Sequence, residues 1–332
     1  MRTVRLEIGV NGAFLTRRWE EPEHFMALTR ECGYRVHEFC ADVLDPFFSG
    51  DRNYQLEAAH QIREAAQKYD VVISDIYTGV ATHRFHGLSH RHPAVRERMR
   101  QWILDCMDLA AAMGTARIGG HWDALSVETL SSPAATEAAL QNLWQTFREL
   151  AVAAQEKGLA AISNEQMYIP SETPWTLAGA ERFLAQTNGN RAGVPVYLTL
   201  DVGHMAGQSY GAGPPDTDYR EWLRRFGAVS EIVHLQQTTP EASAHWPFTD
   251  EYNRRGHVRI PEVLDALRRS HAEFPASPLS DCLAPVSHTY LIAEIIPGST
   301  KNEKTLLREL KESAAYLYQF VPESGMEFSA PE

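Results

Sequence analysis

The sequence predicts an α/β fold, a single (β/α)₈ TIM barrel, and three observations predict it. Eight extended apolar runs pass along the 332 residues, separated by stretches with helical spacing. Strands that alternate with helices of 10 to 20 residues pair in parallel, and eight such units argue for closure rather than an open sheet. The last four runs each end in a residue able to hold a divalent metal. LAAISNE ends at Glu165, VYLTLD at Asp201, EIVH at His234 and YLIAE at Glu294. In a closed barrel the C-terminal strand ends form one rim, so these side chains would converge.

The strand candidates are Arg5–Val10, Arg35–Phe39, Val71–Asp75, Ala116–Gly119, Ala160–Asn164, Val196–Leu200, Ile232–Leu235 and Tyr290–Ala293. Between the third and fourth, Pro93–Met113 places Val95, Met99, Trp102, Ile103, Cys106 and Leu109 at spacings of three and four. That is an amphipathic stripe, and Gly114 stops it. Ala134–Lys157 repeats the design through Leu140, Leu143, Trp144, Phe147 and Leu150, with Gly158 closing it. Thr173-Pro174 opens the next helix, Ile260-Pro261 a later one, and Asn302–Tyr318 forms the last. Residues 1–332 read as one domain, with an irregular C-terminal tail from about 321.

Composition narrows the function classes. A net charge of −12 disfavours a nucleic-acid surface, which would want a basic stripe. No apolar run approaches the ~18 residues of a membrane span. The four cysteines, Cys32, Cys40, Cys106 and Cys282, show no paired spacing. With a first strand beginning almost at Met1, they point to a reduced, cytoplasmic setting.

Two connections are long for this architecture, and long loops tend to be lids or binding walls. Ile76–His92 carries His83, His86, His90 and His92. Gln236–Arg259 carries His245, Trp246, Phe248, Tyr252, Arg254, Arg255, His257 and Arg259.

The metal reading rests on the joint pattern, since one strand-end Glu is usually solvated and one buried His is usually a core residue. Three oxygen donors and one imidazole suit one Mn²⁺, Mg²⁺ or Co²⁺ ion, with Zn²⁺ a further option. In Asp201-Val202-Gly203-His204, Gly203 permits a tight exit from the strand, and His204 could reach a substrate hydroxyl rather than the ion. These residues resemble the xylose-isomerase-like barrel enzymes, and within them the ketose 3-epimerases. That family holds its metal on Glu, Asp, His and Glu at the ends of strands five to eight, with a D-x-x-H motif on strand six. The resemblance implies Glu165, Asp201, His234 and Glu294 as ligands and His204 as a substrate contact, over Arg5 to about Tyr318. GVNGAFLTRRWEEPE, ADVLDPF, GGHWDALS and EYNRRGHVR look like the erythrulose-phosphate 3-epimerase branch. The arginine often found just past the strand-seven histidine is absent, and Gln236-Gln237-Thr238-Thr239-Pro240 stands there. Its loss bears on the substrate's polar contacts.

Chemistry follows from the ligand types. Glu165 and Glu294 are the candidate catalytic pair, one removing a proton beside a carbonyl and the other returning it from the opposite face. A chelated divalent cation would stabilise the developing enediolate. Second-tier candidates are His121 and Trp122 as substrate contacts and Arg254, Arg255 and Arg259 as phosphate contacts. Glu7, Glu38 and Asp75 lie on the first three strands, and Glu38 and Asp75 read as structural. Phe47 and Trp246 could wall a sugar. The expected activity is inversion at C3 of a short ketose or ketose phosphate. Aldose–ketose isomerisation, a C-glycoside-cleaving lyase with a partner subunit and a non-catalytic sugar-binding barrel are its rivals. The partner is a small sugar or sugar phosphate, not nucleic acid or membrane, and a homo-oligomer is expected.

Overall fold

The computed structural model describes residues 1–77 and 87–331. Its strands are β1 (Arg2–Asn11), β2 (Val36–Cys40), β3 (Val72–Tyr77), β4 (Arg117–Gly120), β5 (Ala161–Glu165), β6 (Val196–Asp201), β7 (Ile232–Leu235), β8 (His288–Ala293) and β9 (Met326–Ala330). Strands β1 to β8 pair in parallel in chain order, and β1 pairs with both β8 and β2, which closes the barrel. The helices are α1 (Pro22–Glu31), α2 (Arg52–Lys68), α3 (Pro93–Met113), α4 (Val127–Leu130), α5 (Pro133–Glu156), α6 (Leu177–Asn188), α7 (Tyr219–Phe226), α8 (Asp250–Arg255), α9 (Ile260–Glu273) and α10 (Glu303–Leu317). No helix among the described residues is long and apolar enough to cross a membrane. The four cysteines are free.

Local chemistry explains the helix limits. Pro93 sits in the first turn of α3, where its missing N–H costs nothing, and Gly114 ends the helix in the left-handed region at φ 81°. Ser132 caps α5 by accepting from the Ala135 N–H at 3.3 Å. The start of α6 differs from the sequence reading. It begins at Leu177 rather than after Thr173-Pro174, because the Thr176 hydroxyl takes the Gly179 N–H at 3.1 Å and makes Thr176 the cap.

The C-terminal tail also departs from expectation, since Met326–Ala330 is a strand. It pairs antiparallel with the first half of β1, from Arg2↔Ala330 to Leu6↔Met326. The physical reason is an open edge. β2 meets β1 only at Val10↔His37 and Asn11↔Glu38, so along the lower part of this ten-residue strand the edge turned away from β8 would otherwise be left unpaired.

Alternation along each strand decides what enters the lumen. Ile232 and His234 share a face of β7, as do Ser163 and Glu165 on β5 and Thr199 and Asp201 on β6. Val36, Ile232, Tyr290 and Ile292 form a small apolar cluster of their own. The Ser163 and Thr199 hydroxyls meet at 3.0 Å beside it. One residue pair further toward the C-terminal rim come Glu165, Asp201 and His234, with Asp201 and His234 in direct register. Glu294 lies one residue past β8, its N–H donating to the Leu235 carbonyl at 2.9 Å.

Candidate metal centre and catalytic cavity

Glu165, Asp201, His234 and Glu294 each offer one ligand atom, and these atoms all lie within 4.8 Å of one another in a buried cluster. His234 is the hub. Its Nδ1 stands 3.0 Å from Glu165 Oε1, 3.3 Å from Glu294 Oε2 and 3.9 Å from Asp201 Oδ2. Its Nε2 points the other way, 2.9 Å from Glu38 Oε1. Glu38 is in turn held by the Asn11 side-chain amide. A carboxylate behind a ligating imidazole fixes the ring and the tautomer, leaving one nitrogen free for an ion.

Every donor is braced. Tyr77, at the end of β3, donates its hydroxyl to Glu165 Oε2. Asp201 Oδ1 accepts from the Gly203 N–H at 2.6 Å and from the Gln236 amide at 2.9 Å. Gly203 is required there by close approach, because a Cβ would lie 2.3 Å from the Gln236 side chain. Glu294 Oε2 also faces His245 Nδ1 at 3.2 Å. His245 holds a positive φ of 46°, which a non-glycine residue adopts at a cost.

The electrostatics suit a divalent cation. Burial, then repulsion from Glu294, pushes the Asp201 carboxyl up to about 7. Burial likewise raises Glu165, against the pull of His204 and His234. For Glu294 burial is outweighed by His234 and His245, which hold it well below the usual carboxylate range. Burial opposes the charge on His245 too, but Glu294 and its neighbours lift it to about 9. Imidazoles thus carry the charge set against the buried carboxylates. An ion with hard or borderline character fits this mixed oxygen and nitrogen set, and His234, Glu165, Asp201 and Glu294 would hold it.

The rim opens into a cavity of 460 Å³ whose wall includes Asn11, Tyr77, Glu165, His204, His245 and Glu294. Residues 26–276 match the family described as the xylose isomerase-like TIM barrel. This chain belongs to that family. A curated relative of this xylose isomerase-like barrel is the D-erythrulose 1-phosphate 3-epimerase of Brucella abortus. It is 23% identical over 268 residues, covering 80% of this chain and 85% of that protein. Among solved structures, a Rhodospirillum rubrum protein assigned provisionally as a xylose isomerase superposes with a TM-score of 0.82 at 22% identity, over 96% of this chain and all of that one. The D-psicose 3-epimerase of Clostridium cellulolyticum, solved with D-tagatose, gives 0.65 at 16% identity, over 95% and 98%. These relatives are sugar epimerases and isomerases.

Within this xylose isomerase-like barrel the other sequence-predicted residues divide. His204 lines the cavity, its Nδ1 2.9 Å from the Gln166 carbonyl and 3.7 Å from Glu165 Oε1. His121 lies behind Glu165, with Nδ1 3.3 Å from that residue's carbonyl oxygen, so it braces the strand end. Trp122 is fully buried and stacks on Phe147 at 5.4 Å, packing against the helix layer rather than walling a sugar. The three arginines expected to meet phosphate stand apart from the cavity. Arg254 is exposed. Arg255 pairs with Glu251 and covers the Trp246 ring at 4.6 Å. Arg259 spends its guanidinium on the carbonyls of Asn253, Gly256 and Val258. Arg254 and Arg255 belong to helix α8, which forms in this loop, and Arg259 stands at the N-cap position of α9. Phe47 lies at the surface under the Arg98 guanidinium, 3.9 Å away.

His83 and His86 lie outside the described residues. His90 and His92 serve the start of α3, where His92 accepts from the Ala94 N–H at 3.2 Å. Glu7 pairs with Arg5 and His288 at 2.8 Å each. Asp75 is buried against Ser74 at 2.6 Å. Three site residues escaped the sequence reading. Tyr77 did so because β3 runs two residues beyond the expected Asp75, and a longer strand would have put it on the rim list. Asn11 was missed for the same reason at the end of β1. His245 was one histidine among several in a loop, with no periodicity to single it out.

Proposed function

We propose that this chain inverts C3 of a short ketose or ketose phosphate of the erythrulose-phosphate kind, by two-base proton transfer with one divalent cation, Mn²⁺ first among Mg²⁺, Co²⁺ and Zn²⁺. The observation that carries the reading is the placement of Glu165 and Glu294. They rise from β5 and from just past β8, and both face His234 Nδ1, at 3.0 and 3.3 Å, inside one cavity. When bound, the cation supplies Lewis-acid stabilisation to the enediolate that forms once the C3 proton leaves.

The chain's own residues do the rest. One of Glu165 and Glu294 takes the C3 proton and the other delivers one to the opposite face. Tyr77 holds Oε2 of Glu165, and Oε1 is the oxygen that faces His234 Nδ1. His204, fixed through Nδ1 by the Gln166 carbonyl, presents Nε2 for a substrate hydroxyl. His245 steadies Glu294 from the cavity side. The activity named for the Brucella relative supports this reaction over others. The name given to the Rhodospirillum structure favours aldose–ketose isomerisation as the second reading, with the same first proton transfer.

Incubation of the Mn²⁺-loaded protein with ketoses and ketose phosphates in D₂O, read by NMR, tests both. Deuterium at C3 with inversion is expected, label confined to C1 or C2 would select the isomerase, and no exchange in any ketose would end the proposal. Glu165→Gln or Glu294→Gln should lower turnover about a hundredfold or more. His204→Ala should leave the ion bound. Unimpaired epimerisation in both Gln variants would remove the assigned roles.

A further inference from the structure

We propose that the cavity adjoining the catalytic mouth, walled by Thr16, Arg17, Arg18 and Ser299, seats the phosphate monoester of the substrate, with Arg17 as its principal cation. This rests on the ketose-phosphate reading above. The cavity measures 530 Å³ and shares Ala13 and Ile296 with the catalytic cavity, so the two meet along one wall, the arrangement that a short sugar phosphate reaching from one to the other would need.

Its chemistry is that of an anion site. The Arg17 side chain is exposed, but unlike that of Arg254 it lines a cavity, and its guanidinium has no hydrogen-bond or ion-pair partner among the described residues. Arg18 lies beside it with its side chain 11% exposed, bonded to Glu303 Oε1 at 2.6 Å. Thr16 Oγ1 is buried without a hydrogen-bond partner among the described residues, which leaves a donor for a phosphate oxygen. Glu303 is also the first residue of α10, capped by Asn302, so the electropositive end of that helix borders the same space. Asp42 and Glu303 wall the cavity as well, and Glu303 is the carboxylate that Arg18 holds. Arg17 is the cation left over, since Arg18 is already paired.

The backbone adds an independent argument. Arg17 holds φ at 64°, a left-handed conformation that glycine or asparagine adopts more readily. A turn that served only the fold would be better made with either. Strain retained at a bulky cation beside an active cavity points to function.

The test compares D-erythrulose 1-phosphate with unphosphorylated erythrulose in wild type and Arg17→Asn, with Arg17→Lys as the conservative variant. Arg17→Asn should raise KM for the phosphate ester about tenfold or more. It should leave kcat/KM for erythrulose within about twofold, and its Tm should equal or exceed wild type. Arg17→Lys should recover part of the loss. Equal effects on both substrates, or none on either, would overturn the site. If wild type exchanges no ketose, the epimerase reading fails, and inorganic phosphate titrated by calorimetry into the metal-free protein then decides this site. Saturable binding lost in Arg17→Asn keeps it, and its absence, or persistence in that variant, removes it.

Discussion

At the scale of single residues, the decisive arrangement is the division of labour on the His234 ring. One nitrogen faces three carboxylates and the other is bonded to Glu38 at 2.9 Å. Glu38 read as a structural acid in the sequence, and its structural part is to orient the His234 ring. Removing it as Glu38→Ala frees the ring to rotate and to change tautomer. The metal dissociation constant should rise about 10- to 100-fold, measured by calorimetry with Mn²⁺ or Co²⁺. An unchanged constant would mean that Glu38 does not set the ring. Gln236 shows a parallel economy. It stands in the segment where related epimerases often carry arginine, and here its amide holds Asp201 while its carbonyl accepts from the His245 N–H at 2.7 Å. The same side chain thereby places a histidine against Glu294, which is how a loop residue with no pattern of its own enters the site.

Among elements, strand ends and edges explain both what was expected and what was not. Period-two alternation set which face of β5 to β8 enters the lumen, so the donors could be read from spacing alone. Strand length could not, and two extra residues on β3 brought Tyr77 to the rim. The tail Met326–Ala330 carries the same alternation, with Met326, Phe328 and Ala330 more buried than Glu327 and Ser329. Five residues past a helix give too short a pattern to separate from a frayed end. Truncation before Met326 should expose the lower edge of β1, cost on the order of 2 kcal/mol and lower Tm by a few degrees. Calorimetry that found no change would show β9 to be marginal. The loop after β7 is likewise a fixed wall, tied by the Gln237↔Trp246 bridge and by the Gln237 side chain bonding both the N–H and the carbonyl of Val258.

For the whole molecule, stability couples to protons, and a cation bound by the four donors would add to it. Burial holds the His37 imidazole down to about 3, with Thr29 Oγ1 2.9 Å from Nδ1. A folded value below the ordinary 6.5 gives stability that is full above pH 6.5 and is lost as pH falls toward 3. Buried acids such as Asp201 and Asp123, both pushed up to about 7 by burial, pull the other way in metal-free protein. The clean measurement is therefore a difference. The stability advantage of wild type over His37→Asn should shrink below pH 6.5 by at most about 1.4 kcal/mol per unit, followed by urea titration. A gap that widens on acidification would contradict the sign. A saturating divalent cation should raise Tm reversibly with EDTA, by about 2.7 kcal/mol of added stability at a hundred times its dissociation constant. Indifference to every divalent ion would sink the metal centre.

By itself the sequence determined the eight-strand alternation, the helices that separate the strands and the four donors at consecutive strand ends. Each of these is written in near-neighbour spacing, where side-chain direction repeats every two or 3.6 residues. Only the tertiary structure decided that His245 rather than another loop histidine faces Glu294, that Trp122 belongs to the core, and that Arg254, Arg255 and Arg259 turn away while Arg17 lines a cavity at the mouth. Those outcomes depend on how a loop closes over a rim built from strands far apart in the chain, and no local period encodes that packing.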